Sequence, residues 1–256
     1  MVGDKILLMF SRKLDKSIYD KPKLKYTIEE SLNVLTSAFG LNFLDDISRK
    51  KILDFGCGFG YQVVAMALKG ADFVVGVDIR EKAILGGIDL AKIHGVYEKV
   101  QFLKEIKNNY QEYFDLIISQ NSFEHYPDPD SILKLWWNVL KYKGKVYLTF
   151  GPPWYAPYGA HTYFFTKIPW TNIFFRETKV MKVRSYFISD GAKRYEEVEG
   201  GLNKMTVRRF EKIIRNSRFT IKYINYHAVK KIKIMTKIPV IREFFINQID
   251  CILIKE

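Results

Sequence analysis

LDFGCGFG, Leu53 to Gly60, follows the apolar run KIL and comes just before a segment of helical period that begins at Tyr61. A glycine-rich turn between a strand and a helix is where an open α/β sheet binds its ligand, outside the carboxyl ends of the strands. Two glycine signatures compete for these residues, and their spacing separates them. The dinucleotide pattern GxGxxG fails in both registers: counting from Gly56 puts Tyr61 at the third glycine, and counting from Gly58 puts Val63 there. What remains is a carboxylate, Asp54, followed by Gly56, Gly58 and Gly60, a loop whose backbone can approach a ligand closely. Asp78 ends the next apolar run, VVGVDI, 24 residues after Asp54. A carboxylate there can accept both hydroxyls of a ribose, as it does in NAD enzymes. Taken singly, Asp54 also reads as a turn former and Asp78 as a helix cap.

Working outward, the short runs KILDFG, FVVGVDI, VQFLKE, FDLIISQ and KVYLTF alternate with helical segments. That alternation predicts an α/β protein with a parallel sheet. Helices are expected from Tyr61 to about Leu68, from Arg80 to Ile93, and after Asp128. In the third, Asp128 caps, Pro129 takes the first position, and Ile132, Leu133, Leu135, Trp136, Val139 and Leu140 form one stripe, with Gly144 just past its end. Trp136 is therefore expected in the core. Residues 1–50 read as an N-terminal extension, with a Lys-rich opening and one helix from Ile28 to about Ile47. After the fifth strand the alternation stops from Gly151 to Asn203, a segment dense in Pro, Trp, Tyr and Phe. It resumes with a helix from about Thr206 to Asn216 and two strand-like runs, FTIKYINYHAV and QIDCILIKE.

The chain has 256 residues, 48% apolar, and a formal charge of +13, which permits nucleic acid, an anionic membrane face or an anionic small molecule as partner. Its two cysteines, Cys57 and Cys251, belong to no CxxC or Cys/His cluster, so two reduced packing thiols are expected and no metal site. ILLMF near the N-terminus is too short for a signal sequence, which points to the cytoplasm.

Asp54 to Gly60 resembles the first motif of class I methyltransferases that use S-adenosylmethionine and release S-adenosylhomocysteine. FDLIISQNSFEHYPDPDSILKLWWNVLKYKGKVYLTF, residues 114–150, resembles the fourth strand, helix and fifth strand of the type 11 subgroup. The resemblance implies a Rossmann-like, seven-stranded, mostly parallel sheet over residues 51–256, with helices on both faces and an aromatic insertion after strand 5. It also implies site roles. Asp54 would help hold the methionine portion, with Gly56, Cys57, Gly58 and Gly60 forming the loop. Asp78, beside Ile79, would take the ribose. Glu105 is the nearest acid to the adenine position, but it stands one place early, with Ile106 in the expected place, and reads equally as a surface charge. Gln120 and Asn121, at the end of strand 4, would border the transferable methyl group.

GPPWYAPYGAH, Gly151 to His161, carries the Pro-Pro-aromatic triplet with which some methyltransferases seat an extruded base. There the triplet follows strand 4 and is preceded by Asn or Asp. Here it follows strand 5, behind a glycine with no accepting side chain. The segment 151–203 is expected instead to form an acceptor pocket or lid, with Trp154, Tyr155, Tyr158 and His161 toward substrate. The alternative is a hydrophobic satellite cluster that seals the sheet edge. If the acceptor must lose a proton, His161 and then His125 are the candidate bases; His125 also reads as a structural, hydrogen-bonded residue. Between Lys204 and Lys237 stand eleven Lys or Arg and one acid, Glu211. These form either a solvated face or a surface for an anionic acceptor, an anionic membrane or RNA, and Lys230 to Phe245 mixes cations with apolar residues enough for lipid docking. The expected activity is methyl transfer to a small-molecule or lipid-linked metabolite, on oxygen. RNA methylation and a non-catalytic cofactor-binding partner are the alternatives.

Overall fold

A computed structural model describes residues 2–11, 27–198, 200–231, 233–239 and 241–256. Most of the Lys-rich opening, residues 12–26, lies outside them, as do Ile232 and Val240 of the basic stretch. Seven strands make one sheet: β1 (Lys51–Phe55), β2 (Phe73–Val77), β3 (Val100–Leu103), β4 (Phe114–Gln120), β5 (Leu140–Phe150), β6 (Thr220–Ala228) and β7 (Ile246–Ile254). Their order is β3-β2-β1-β4-β5-β7-β6, parallel throughout except for β7, which runs antiparallel to β5 and β6. The chain crosses β1 on passing from β3 to β4. The order therefore reverses beside β1, and a crevice opens at its carboxyl end.

Both faces of the sheet are covered. The helix α1 (Val2–Met9) stands apart, while on one face α2 (Asn33–Phe39) and α3 (Asn42–Ile47) join α4 (Tyr61–Leu68) and α5 (Glu81–Ile93) against the sheet through Leu35, Phe43, Val63, Met66 and Ala91. On the other face α6 (Pro129–Val139) and α9 (Val207–Asn216) bury Trp136 and Phe210 against Phe123 and Phe150. Each such side chain contributes about 1.5–3 kcal/mol on leaving water. Asp128 caps α6 by accepting the Ser131 amide at 3.2 Å, with Pro129 in the first turn. Between α6 and α9 lie α7 (Thr171–Phe174) and α8 (Glu177–Arg184) of the insertion, and α10 (Arg242–Phe245) leads into β7.

Two expectations need correction. The single helix from Ile28 to Ile47 is a 3-10 turn, Glu29–Leu32, followed by α2 and α3, broken at Gly40, whose φ is +85°. Gly144 does not follow the end of α6. The helix stops at Val139 and β5 starts at once, with Gly144 inside it; a Cβ there would lie 2.6 Å from Leu140 Cγ.

Residues 151–203 build a third apolar cluster around Phe165, Val180, Met181 and Tyr195, and α1 adds Leu7 to it. The Ser11 backbone bridges to Thr166. The N-terminal helix thus packs on the insertion through α8.

Candidate functional site

The glycine loop is closed by backbone. The Gly56 and Cys57 amides both donate to Val77 O, at 2.8 and 2.9 Å, so the end of β1 is tied to the end of β2. Gly56 has φ +92°, and a Cβ on it would stand 2.2 Å from Ser122 Oγ. At Gly60, φ is +76° and a Cβ would stand 2.5 Å from the Phe102 ring. Neither position admits a side chain without moving β3 or the turn after β4.

Asp54 is 2% exposed, and its Oδ2 has no hydrogen-bond partner. Burial, reinforced by the nearby Asp78, pushes its pKa up to about 7. Asp78 is also buried, but it is satisfied. Its Oδ2 accepts the Gly58 amide at 2.9 Å, and its carboxylate accepts the Arg80 amide at 3.0 Å and the Arg80 guanidinium at 3.0 and 3.1 Å. Burial would raise its pKa, but the Arg80 and Gly58 bonds outweigh it and hold the carboxyl below its ordinary value. A cationic ligand with a ribose suits this pair. Asp54 has an oxygen in need of a donor, and Asp78 can exchange a flexible guanidinium for hydroxyls.

The remaining expected cofactor contacts divide. Ile79 is 72% exposed beside Asp78. Glu105 is exposed and lines a shallow cleft between α5 and the end of β3, where Lys104 pairs with Glu81 at 3.0 Å; Ile106 instead packs against the core. Gln120 bonds to the Gln62 amide, which also donates to Ser31 O at 3.1 Å. Asn121 turns the chain in a left-handed conformation, φ +47°, its amide donating to Thr149 O. Cys57 is half-buried, and burial raises its thiol pKa.

The insertion is fastened over the turn after β4. Glu124, 3% exposed, accepts the Gly151 amide at 3.3 Å, and burial pushes its carboxyl up to about 8. The His125 and His161 rings meet edge to face at 5.4 Å. His125 Nδ1 bonds to Gly201 O, and burial lowers its pKa against that opposing carbonyl. His161 is lowered further by burial, and then by His125, to about 4, and its Nε2 is buried without a partner. A ring so poorly basic is a weak proton acceptor at neutral pH. Trp154 turns into the third cluster against Tyr195. Tyr155 packs beside Phe244, and Tyr158 donates to Lys167 O at 3.3 Å. The structure therefore brings the two histidines together and leaves the three aromatic residues on separate contacts.

Sequence reading missed a second polar pair. His227 of β6 and Asp250 of β7 bond through Nε2 and Oδ2. A carboxylate in the otherwise apolar run IDCILI is a signal, but its partner depends on strand register.

A family model described as methyltransferase domain matches residues 47–151, the segment that holds the glycine loop, both carboxylates and the turn after β4. The chain carries a class I methyltransferase domain. Among relatives, a ubiquinone biosynthesis O-methyltransferase of Neisseria meningitidis is 29% identical over 119 residues, 43% of this chain and 48% of that protein. The namesake of Acinetobacter baylyi is 31% identical over 120 residues, with the same coverage. The chain thus spans about half the length of the curated relatives it matches. For this methyltransferase domain the fold extends further than the sequence match. A Galdieria sulphuraria structure named for sarcosine and dimethylglycine methylation superposes with a TM-score of 0.61 at 12% identity, covering 100% of this chain and 99% of that one.

Proposed function

We propose that this chain transfers a methyl group from S-adenosylmethionine to an oxygen of a small-molecule or lipid-linked metabolite. The observation that carries the reading is the orphaned Asp54 oxygen beside Asp78, at the mouth of a glycine loop in which Gly56 and Gly60 leave no room for a Cβ. Asp54 holds the cationic amino acid end and Asp78 the ribose, after Arg80 swings away. Ile79 flanks the adenosine, and Gln120 and Asn121 border the methyl carbon. When bound, the sulfonium supplies an already activated methyl group, so the protein's share is positioning and exclusion of water, worth up to several kcal/mol. Held by Asp54 and Asp78, the donor would give its methyl group to the acceptor oxygen and would leave as S-adenosylhomocysteine, with the hydroxyl proton passing to solvent. His125, His161 and the aromatic insertion close the site from solvent. The similarity of residues 47–151 to enzymes named for O-methylation in ubiquinone biosynthesis supports both the oxygen and the lipid-linked acceptor. The same reading places the enzyme in the cytoplasm, with cations between Lys204 and Lys237 touching an anionic membrane; Arg208 and Arg215 are each 70% exposed even while paired with Glu243 and Glu211. Incubation with methyl-labelled donor and separate pools of metabolites, lipids and RNA tests the proposal. Label is expected in metabolites or lipids, and label in RNA alone contradicts it.

A further inference from the structure

A cleft of about 400 Å³ opens beyond the donor crevice, with α2 on one side (Asn33, Ser37) and the ends of β6 and β7 on the other (His227, Gln248, Asp250). It lies at the same end of the sheet as the glycine loop, because β7 is antiparallel and its first residues stand beside the last of β5. The two places share a wall. Just before α2, Ser31 accepts Gln62 through its carbonyl and donates to Tyr61 O, and Gln62 and Tyr61 begin the helix that leaves the loop.

A row of polar side chains joins them across the sheet. Gln120 pairs with Thr149, Thr149 with Asp250, and Asp250 with Asn225. Residues paired in this way point to one face. With strands about 4.8 Å apart, Asp250 stands about 10 Å from Gln120. Polar residues in the middle of a sheet need a reason, and two of these are fully buried. Thr149 is 0% exposed and its hydroxyl has no hydrogen-bond partner. Asp250, also 0% exposed, accepts Gln248 Nε2 at 2.7 Å and bonds to His227. Nε2 also lies 3.1 Å from the Asn225 side-chain amide; with the Asp250 carboxylate accepting there, Nε2 carries the proton and, in the neutral ring, Nδ1 keeps a lone pair. His227 is 43% exposed, so the ring is held from behind and open in front.

We infer that this cleft is the acceptor subsite, and that His227, oriented by Asp250, accepts a hydrogen bond from a hydroxyl of the acceptor. The inference rests on the methyl-transfer reading above. It also names a chemical class. The lining offers neutral hydrogen-bonding groups around a buried carboxylate, which repels anions and favours an uncharged, hydroxyl-bearing end. An acceptor gripped there would span about 10 Å, passing over the buried Thr149, to set its reacting oxygen near Gln120. Asp250 is then a positioning residue.

The test uses the full chain, labelled methyl donor and a dilution series of a low-molecular-weight metabolite and lipid extract. The wild type is expected to saturate. His227→Ala is expected to raise the half-saturating extract concentration about three- to tenfold, the effect of losing one hydrogen bond to a polar group, with the maximal rate changed less than twofold. His227→Gln, which keeps an accepting atom, should recover part of the loss, and Ala38→Trp, which fills the cleft from α2, should reproduce it. Calorimetric affinity for S-adenosylhomocysteine should stay within twofold in all three. Unchanged half-saturation in folded His227→Ala or Ala38→Trp protein would overturn the inference and leave the methyl-transfer reading standing. If the wild type transfers no label to the extract, both fall.

Discussion

Residues 51–150 and residues 151–203 lie against each other, yet they are organised differently. In the first, the ends of neighbouring strands are locked by backbone: the Gly56 and Cys57 amides close on Val77 O, and Asp78 takes the Gly58 amide. In the second, order comes from a small apolar cluster that borrows Leu7 from the N-terminal helix and is pinned through Gly151 to Glu124. The contrast separates two tasks. A donor site made of short-range backbone constraints can be shared among many relatives, and the family match does end at residue 151. On the proposed reading, an acceptor side assembled from an insertion, α2 and the last two strands is free to differ in each.

Substitutions can break this division. Gly60→Val should do most damage, because it adds a side chain at positive φ and drives it into Phe102; a loss of about 3 kcal/mol or more is expected in denaturant unfolding. Phe165→Ala, in the third cluster, should cost about 3 kcal/mol and lower methyl transfer. Its affinity for S-adenosylhomocysteine should stay within twofold, and a parallel loss of that affinity would show that the two regions are not separate. The donor pocket should also respond to pH. Asp54, raised to about 7, is protonated below that value and cannot pair with a cation. Donor affinity should therefore rise with pH through about 7 and level off above it, by up to about tenfold per unit, and Asp54→Asn should flatten the curve. Without ligand the sign is opposite. A carboxyl whose folded pKa is raised contributes stability that is fully present below its unfolded value and is lost as pH rises through the folded one. Thermal melts of the free protein should show Asp54 and Glu124, the latter at about 8, acting in that direction. The smallest effect is expected at Asp128→Ala, which removes the α6 cap at a cost of about 1 kcal/mol.

The glycine loop and its two carboxylates, the donor side proposed above, stand out in the sequence because their placement is local. Asp54, the three glycines and Asp78 each sit at a strand end that periodicity alone locates, and β4 and α4 have the expected bounds. The same periodicity misled at the N-terminus. Leu32, Leu35, Phe39, Phe43 and Ile47 keep helical spacing straight across Gly40, so the run reads as one helix, although the glycine's positive φ breaks it. Glu105 was reached by counting from β3, and counting could not tell that it points to solvent while Ile106 turns inward. The His227–Asp250 pair was invisible for another reason. The two residues meet only through the antiparallel register of β6 on β7, which shifts between His227 and Ala228 and which no local pattern specifies. In the insertion, composition announced an aromatic cluster, but which rings face inward depends on α1 and α8.

Titration calorimetry with S-adenosylhomocysteine, on wild type and on Asp78→Asn, addresses the donor crevice on which all of this stands. One molecule should bind per chain, and the substitution should weaken binding at least tenfold. An absence of heat, or equal affinity in the two proteins, would contradict the assignment, as would a nicotinamide dinucleotide binding in place of the adenosyl compound.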